Sequence, residues 1–82
     1  MVTLTERALA ALRASLEAAR RFDPDAVLRV VRRDGGVHAI FVEQLDPLDE
    51  RVDVGGSTIG VEPAIDGTID AGEHNELIVA AP

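Results

Sequence analysis

The sequence predicts an α+β fold, one N-terminal helix packed on a small, mainly antiparallel β-sandwich, and three observations carry that expectation. Apolar residues recur every three to four positions over residues 5–21, the pattern turns to short β-branched runs from Val27 onward, and glycine and proline turns separate those runs. A helix followed by hairpins sets the helix on one side of a sheet. The 82 residues are read as one domain, 1–82, because a chain of this length encloses a single core. So short a chain buries only about 60 to 65% of the surface its unfolded form exposes, so self-association would add to its stability.

Within residues 5–21, Leu9, Leu12, Leu16 and Ala19 form one apolar stripe. Thr5 is the expected N-cap, with Glu6 in the first turn and Arg20 and Arg21 at the far end, signs that suit the helix dipole. In "FDPD" the helix should stop, since Pro24 steers Asp23 away from helical angles. Val27–Arg33 and Val37–Glu43 then read as an antiparallel hairpin turning over "DGG". Residues 37–42 are apolar on both faces apart from His38, which predicts a central strand covered on both sides. "QLDPLDE" is a loop, and Arg51–Val54 with Ser57–Val61 form a second hairpin over Gly55 and Gly56, ended by Pro63. Short strands at Thr68–Ala71 and Glu76–Ala80 follow, around a turn at residues 72–75. The glycines Gly35, Gly36, Gly55 and Gly56 are expected to take positive φ. The expected core comprises Leu9, Leu12, Leu16, Val30, Ile40, Val42, Ile59, Ile69 and Ile78.

Composition narrows the chemistry. There is no cysteine, which removes disulfides, a thiolate nucleophile and thiolate-bound metal from this chain. With Phe22 and Phe41 as the only aromatic residues, base- or sugar-stacking platforms are nearly absent. Residues 1–33 hold seven Arg against four acids, a net of +3, while residues 34–82 hold one Arg against eleven, a net of −10. Such an acidic second half repels phosphate backbones, so no nucleic-acid partner is expected. Glu6, Arg7, Arg13 and Glu17 interrupt the N-terminal apolar residues, so neither a signal peptide nor a membrane anchor is expected, and a cytoplasmic location follows as the default.

Three segments carry a likeness to a known family. "VTLTERALAAL" (residues 2–12) is similar to an opening strand and capped helix, "LRVVRRDGGVHAIFVEQLD" (28–46) to a strand, glycine-rich turn and strand, and "IDGTIDA" (65–71) to a Leu-x-Gly-x-x-Ile-Asp segment, with Gly67 and Asp70 at its fixed positions. Together they resemble the HesB/IscA-like family, the A-type carriers and scaffolds of iron-sulfur cluster assembly. The resemblance implies a HesB-like domain whose cluster ligands are a cysteine in the glycine-rich turn and a Cys-Gly-Cys near the C-terminus. Here Asp34–Val37 occupy the turn and no cysteine follows, so no family ligand carries over to any residue. The segment before "IDGT" is also short, which reduces the family's second helix to a turn.

The chain offers other donors. His38 and His74, with Asp34, Glu73 or Glu76, supply nitrogen and oxygen ligands of the type that hard or borderline metals take, but no ligand spacing links them. The carboxylates of "LDPLDERVD" read as a solvated acidic loop, and Ser15, Ser57 and Thr58 lack a positioned histidine. The expectation is therefore no catalytic, cofactor-binding or metal-binding residue, no cofactor and no enzymatic activity. Function reads as a cysteine-less HesB/IscA-like scaffold that has lost cluster binding and acts through contact with a protein partner that the sequence does not name, a homo-oligomer among the options. The alternative is a small metal-binding protein using His, Asp and Glu.

Overall fold

The computed structural model describes residues 1–80, which fold as β1 (Val2–Leu4), α1 (Glu6–Arg20), β2 (Val27–Arg33), β3 (Gly36–Val42), β4 (Glu50–Val54), β5 (Ser57–Val61), β6 (Gly67–Ala71) and β7 (Leu77–Ala80). The α+β expectation holds, and each expected strand lies within a residue of its place. All seven strands join one curled, mixed sheet in the order β1-β6-β7-β3-β2-β5-β4. Two neighbouring pairs, β1 with β6 and β2 with β5, run parallel, and the others antiparallel. Residues 62–66 form the turn between β5 and β6, with the Ile65 N–H donating to the Glu62 carbonyl at 3.0 Å.

The helix starts where its cap dictates. Thr5 is extended (φ −71°, ψ 163°) and its Oγ1 accepts from the Ala8 N–H at 3.1 Å. At the other end, Arg20 Nη1 donates to Ser57 Oγ at 2.8 Å and ties the last turn to the start of β5. The helix packs on β6 and on both edge strands, β1 and β4. The sheet therefore curls around it, and Glu50 Oε2, at the start of β4, accepts from the Val2 N–H of β1 at 3.2 Å.

The enclosed core joins Ala8, Leu12 and Leu16 of the helix to Val2, Leu28, Val30, Val37, Val54, Ile59, Val61, Ile65 and Ile69. Leu9 is partly buried beside it. Three expected core residues are corrected. Leu77 and Val79 pack on the core, so strand alternation turns Ile78 to the opposite face, where it is 49% exposed. Val37 is the inward residue of β3, so Ile40 and Val42 share the outer face and are half-buried. In apolar runs such as "LIVA" and "AIFV" periodicity does not distinguish the faces; the register against neighbouring strands does.

The β2–β3 turn also differs from its expectation. Asp34 (φ 51°) and Gly35 (φ 77°) are the two central residues, whereas Gly36 belongs to β3 and pairs with Arg33. Two left-handed residues between paired positions make a type I′ hairpin, which asparagine, aspartate and glycine tolerate best. Among the described residues no helix is long and apolar enough to cross a membrane.

Candidate functional site

An open groove of about 330 Å³ lies beside the glycine turn, between α1 and the first half of β3. Ala11, Leu12 and Ser15 line it from the helix, and Val37, His38 and Ala39 from the strand. Asn75, Glu76 and Leu77 close one end, where β7 begins. The groove exists because β7 starts at Leu77, opposite Val37 and antiparallel to β3, so that no strand runs beside residues 38–42 on the side away from β2. Asn75, with φ 62°, turns the chain away immediately before β7.

This corrects the expectation of a β3 covered on both sides. The strand is central in the sheet order, yet beyond Val37 its side facing away from β2 has no partner strand. Ala39 is exposed and Phe41 is 48% exposed.

The candidate metal donors stay apart. His38 is exposed on β3, with its imidazole beside Gly36, and Asp34 is exposed at the hairpin tip. The His74 N–H donates to Glu76 Oε2 at 3.0 Å, and the Glu76 carboxylate lies over Gly72 so closely that a Cβ there would overlap it. Among the described residues no group of three His, Asp or Glu side chains comes together as a metal site. Of the hydroxyls, Ser57 accepts from Arg20, and Ser15 shares the groove with His38 without a hydrogen bond between them among the described residues.

The acidic loop holds what sequence reasoning missed. Asp49, in a loop whose carboxylates the sequence leads one to expect in solvent, is buried with its side chain at 0% exposure. Its Oδ2 accepts from Arg29 Nε at 2.6 Å and its Oδ1 from Arg29 Nη2 at 2.8 Å, a two-pronged pair. The guanidinium holds the carboxyl below its ordinary range against the opposing effect of burial. The Asp46 N–H gives Asp49 Oδ2 a further, longer bond at 3.3 Å. Asp49 fits because it lies over Gly60 of β5, the strand-neighbour of Arg29: a Cβ on Gly60 would stand 2.6 Å from Asp49 Oδ2 and 2.9 Å from Leu45 Cδ2. An isolated Gly within an apolar strand, "STIGV", was the one signal in the sequence that something approaches closely there. A carboxylate so occupied clamps the loop to the sheet and is not a free base. Neighbouring carboxylates are also engaged: Asp46 Oδ1 accepts from the Leu48 N–H at 2.9 Å, and Glu50 from Val2.

Asp70 acts on the helix. Its Oδ1 accepts from Thr5 Oγ1 at 2.7 Å and from the Ala71 N–H at 2.8 Å, and these bonds, the Thr5 one foremost, lower its pKa. Since Thr5 Oγ1 also accepts from Ala8, one hydroxyl links "IDGTIDA" to the N-cap of "VTLTERAL". The geometry thus presents two structural clamps and one open groove bordered by an unpaired strand. Comparison with protein-family models, curated proteins and solved structures yields no match.

Proposed function

We propose that this chain is a cysteine-less scaffold of the HesB/IscA-like kind that acts by protein contact and carries out neither cluster binding nor catalysis. The observation that carries the reading is the unpaired stretch of β3 immediately after the glycine turn, which offers backbone and apolar side chains to a partner. The family assignment rests on the order of elements together with "DGG" and "IDGTIDA", the latter now with a structural task in holding the helix cap. In this reading the two ends of the curled sheet, facing each other around α1, stand for the layers of a HesB-like sandwich. The partner is a protein, neither nucleic acid nor membrane, and the site of action is the cytoplasm.

Cluster iron is held mainly by thiolates, and a chain without them has lost the main source of affinity. The test is metal analysis of tag-free protein purified without chelator, followed by anaerobic incubation with iron and sulfide and then desalting. The expected result is protein without stoichiometric metal and without cluster absorbance. Metal or cluster retained in proportion to chain would overturn the reading and favour a His and carboxylate site, with Asp34 and His38 the first residues to substitute.

A further inference from the structure

We infer that the free edge of β3 is a self-recognition site: two copies of this chain pair antiparallel through residues 38–42 about a two-fold axis at Ile40, and Phe41 of each copy enters the groove of the other. The inference deepens the contact reading above and rests on it, naming the surface and the partner.

Hairpin parity fixes which backbone groups are free. In a two-residue hairpin the closing pair, here Arg33 and Gly36, exchanges both hydrogen bonds, so the bonded pairs continue as Val31–His38 and Arg29–Ile40. The intervening residues point the other way. On β2 this is visible directly, because the Val30 carbonyl accepts from Glu62 N–H at 3.0 Å and the Arg32 N–H donates to Glu62 Oε1 at 2.6 Å, both on the side away from β3. On β3 the corresponding residues are Val37, Ala39 and Phe41. Val37 meets Leu77 of β7, which leaves the N–H and C=O groups of Ala39 and Phe41 directed at an open edge.

The strands at the two ends of the sheet are blunted. At one end β1 has three residues, and Glu50 occupies the N–H of its first; at the other β4 carries Glu50, Arg51 and Asp53. By contrast, "HAIFV" has neither an acid, an arginine nor a proline. Charged, short or proline-bearing edges are how sheets avoid pairing, so the uncharged internal edge at residues 38–42 is left able to pair.

Its sequence is also complementary to itself. With Ile40 opposite Ile40, Ala39 stands opposite Phe41 of the second copy and His38 opposite Val42. That register aligns the free groups of Ala39 with those of Phe41 on the other chain. Ala39 lines the groove together with Ala11, Leu12 and Ser15, so a ring opposite Ala39 on the same face enters that space. Small residue against large, repeated by symmetry, is the form an isologous interface takes. Each copy carries a net charge of −7, and this uncharged strip is where two copies meet with least repulsion.

Sedimentation and light scattering over a concentration series should show mass rising from 8.7 kDa to twice that value. Phe41→Glu should weaken the dimer at least tenfold, and Ala39→Pro, which removes an outward N–H while sparing the β2 ladder, should do the same. The double variant Ala39→Arg/Phe41→Glu sets opposite charges across the same pairs and should regain the dimer. Should a variant fail to fold, hydrogen exchange of the wild-type protein decides instead: the Ala39 and Phe41 amides should gain protection as concentration rises. A chain monomeric throughout, a dimer indifferent to both single substitutions, a double variant that stays monomeric, or amides whose exchange ignores concentration each overturns this interface. None of those results supplies metal or cluster to the chain, so the contact reading fails separately, by the metal analysis above.

Discussion

Asp49 gains its role from its neighbours. Taken alone, the residue is one acid in an acidic loop; with Arg29 and Gly60 it becomes the peg that fixes residues 45–49 to the outer face of the sheet. Removing one partner of such a pair leaves the other charge uncompensated, so Asp49→Ala should destabilise the fold by about 3 kcal/mol at neutral pH, measured by urea unfolding. The pH dependence follows from the direction of the shift. Because the folded-state pKa lies below its ordinary 3.8, the pair's stabilisation is present above that value and is lost as pH falls through the folded pKa. Wild-type stability should decline as pH drops below about 4, and that part of the decline should be absent in Asp49→Ala. An equal acid dependence in both proteins would remove Asp49 as its source.

Among the elements, α1 shows local and long-range signals agreeing. The stripe at Leu12 and Leu16 and the cap at Thr5 were legible because both depend on neighbours three or four residues away. The partner of the cap was not legible: Asp70 lies 65 residues away on β6 and reaches Thr5 only through the parallel β1–β6 pairing. Thr5→Ala should cost about 1 kcal/mol through the lost cap, seen as a lower unfolding midpoint, whereas Thr5→Ser keeps the hydroxyl and should remain close to wild type. A Thr5→Ala protein as stable as wild type would show that β1 and β6 position the helix without the hydroxyl.

Across the molecule, the curl of one sheet around one helix decides which apolar residues are core. Ile59 is fully buried and Ile78 is half-exposed on the opposite face, though both stand in apolar strands. Ile59→Ala should cost about 3 kcal/mol, and Ile78→Ala much less, about 0.5 kcal/mol, by chemical denaturation at low protein concentration. Equal costs would mean that β7 presents its other face to the core. The same sheet leaves β3 beyond Val37 without a partner strand, because β7, paired with β6 from Leu77 onward, begins opposite Val37 and runs toward the hairpin tip.

Local chemistry was enough for the α+β class, the single helix and its cap, the two hairpins with their glycine turns and the exclusion of thiolate chemistry, since each depends on residue type and on spacings of a few positions. Tertiary structure alone decided the parallel pairings of β1 with β6 and β2 with β5, the inward face of β3 and β7, the Arg29–Asp49 clamp and the open edge after His38. The physical reason is the same in each case. A strand's register and the burial of a charge are set by segments distant in sequence, and a one-residue shift in pairing, which leaves the sequence pattern intact, exchanges the faces of every strand it touches.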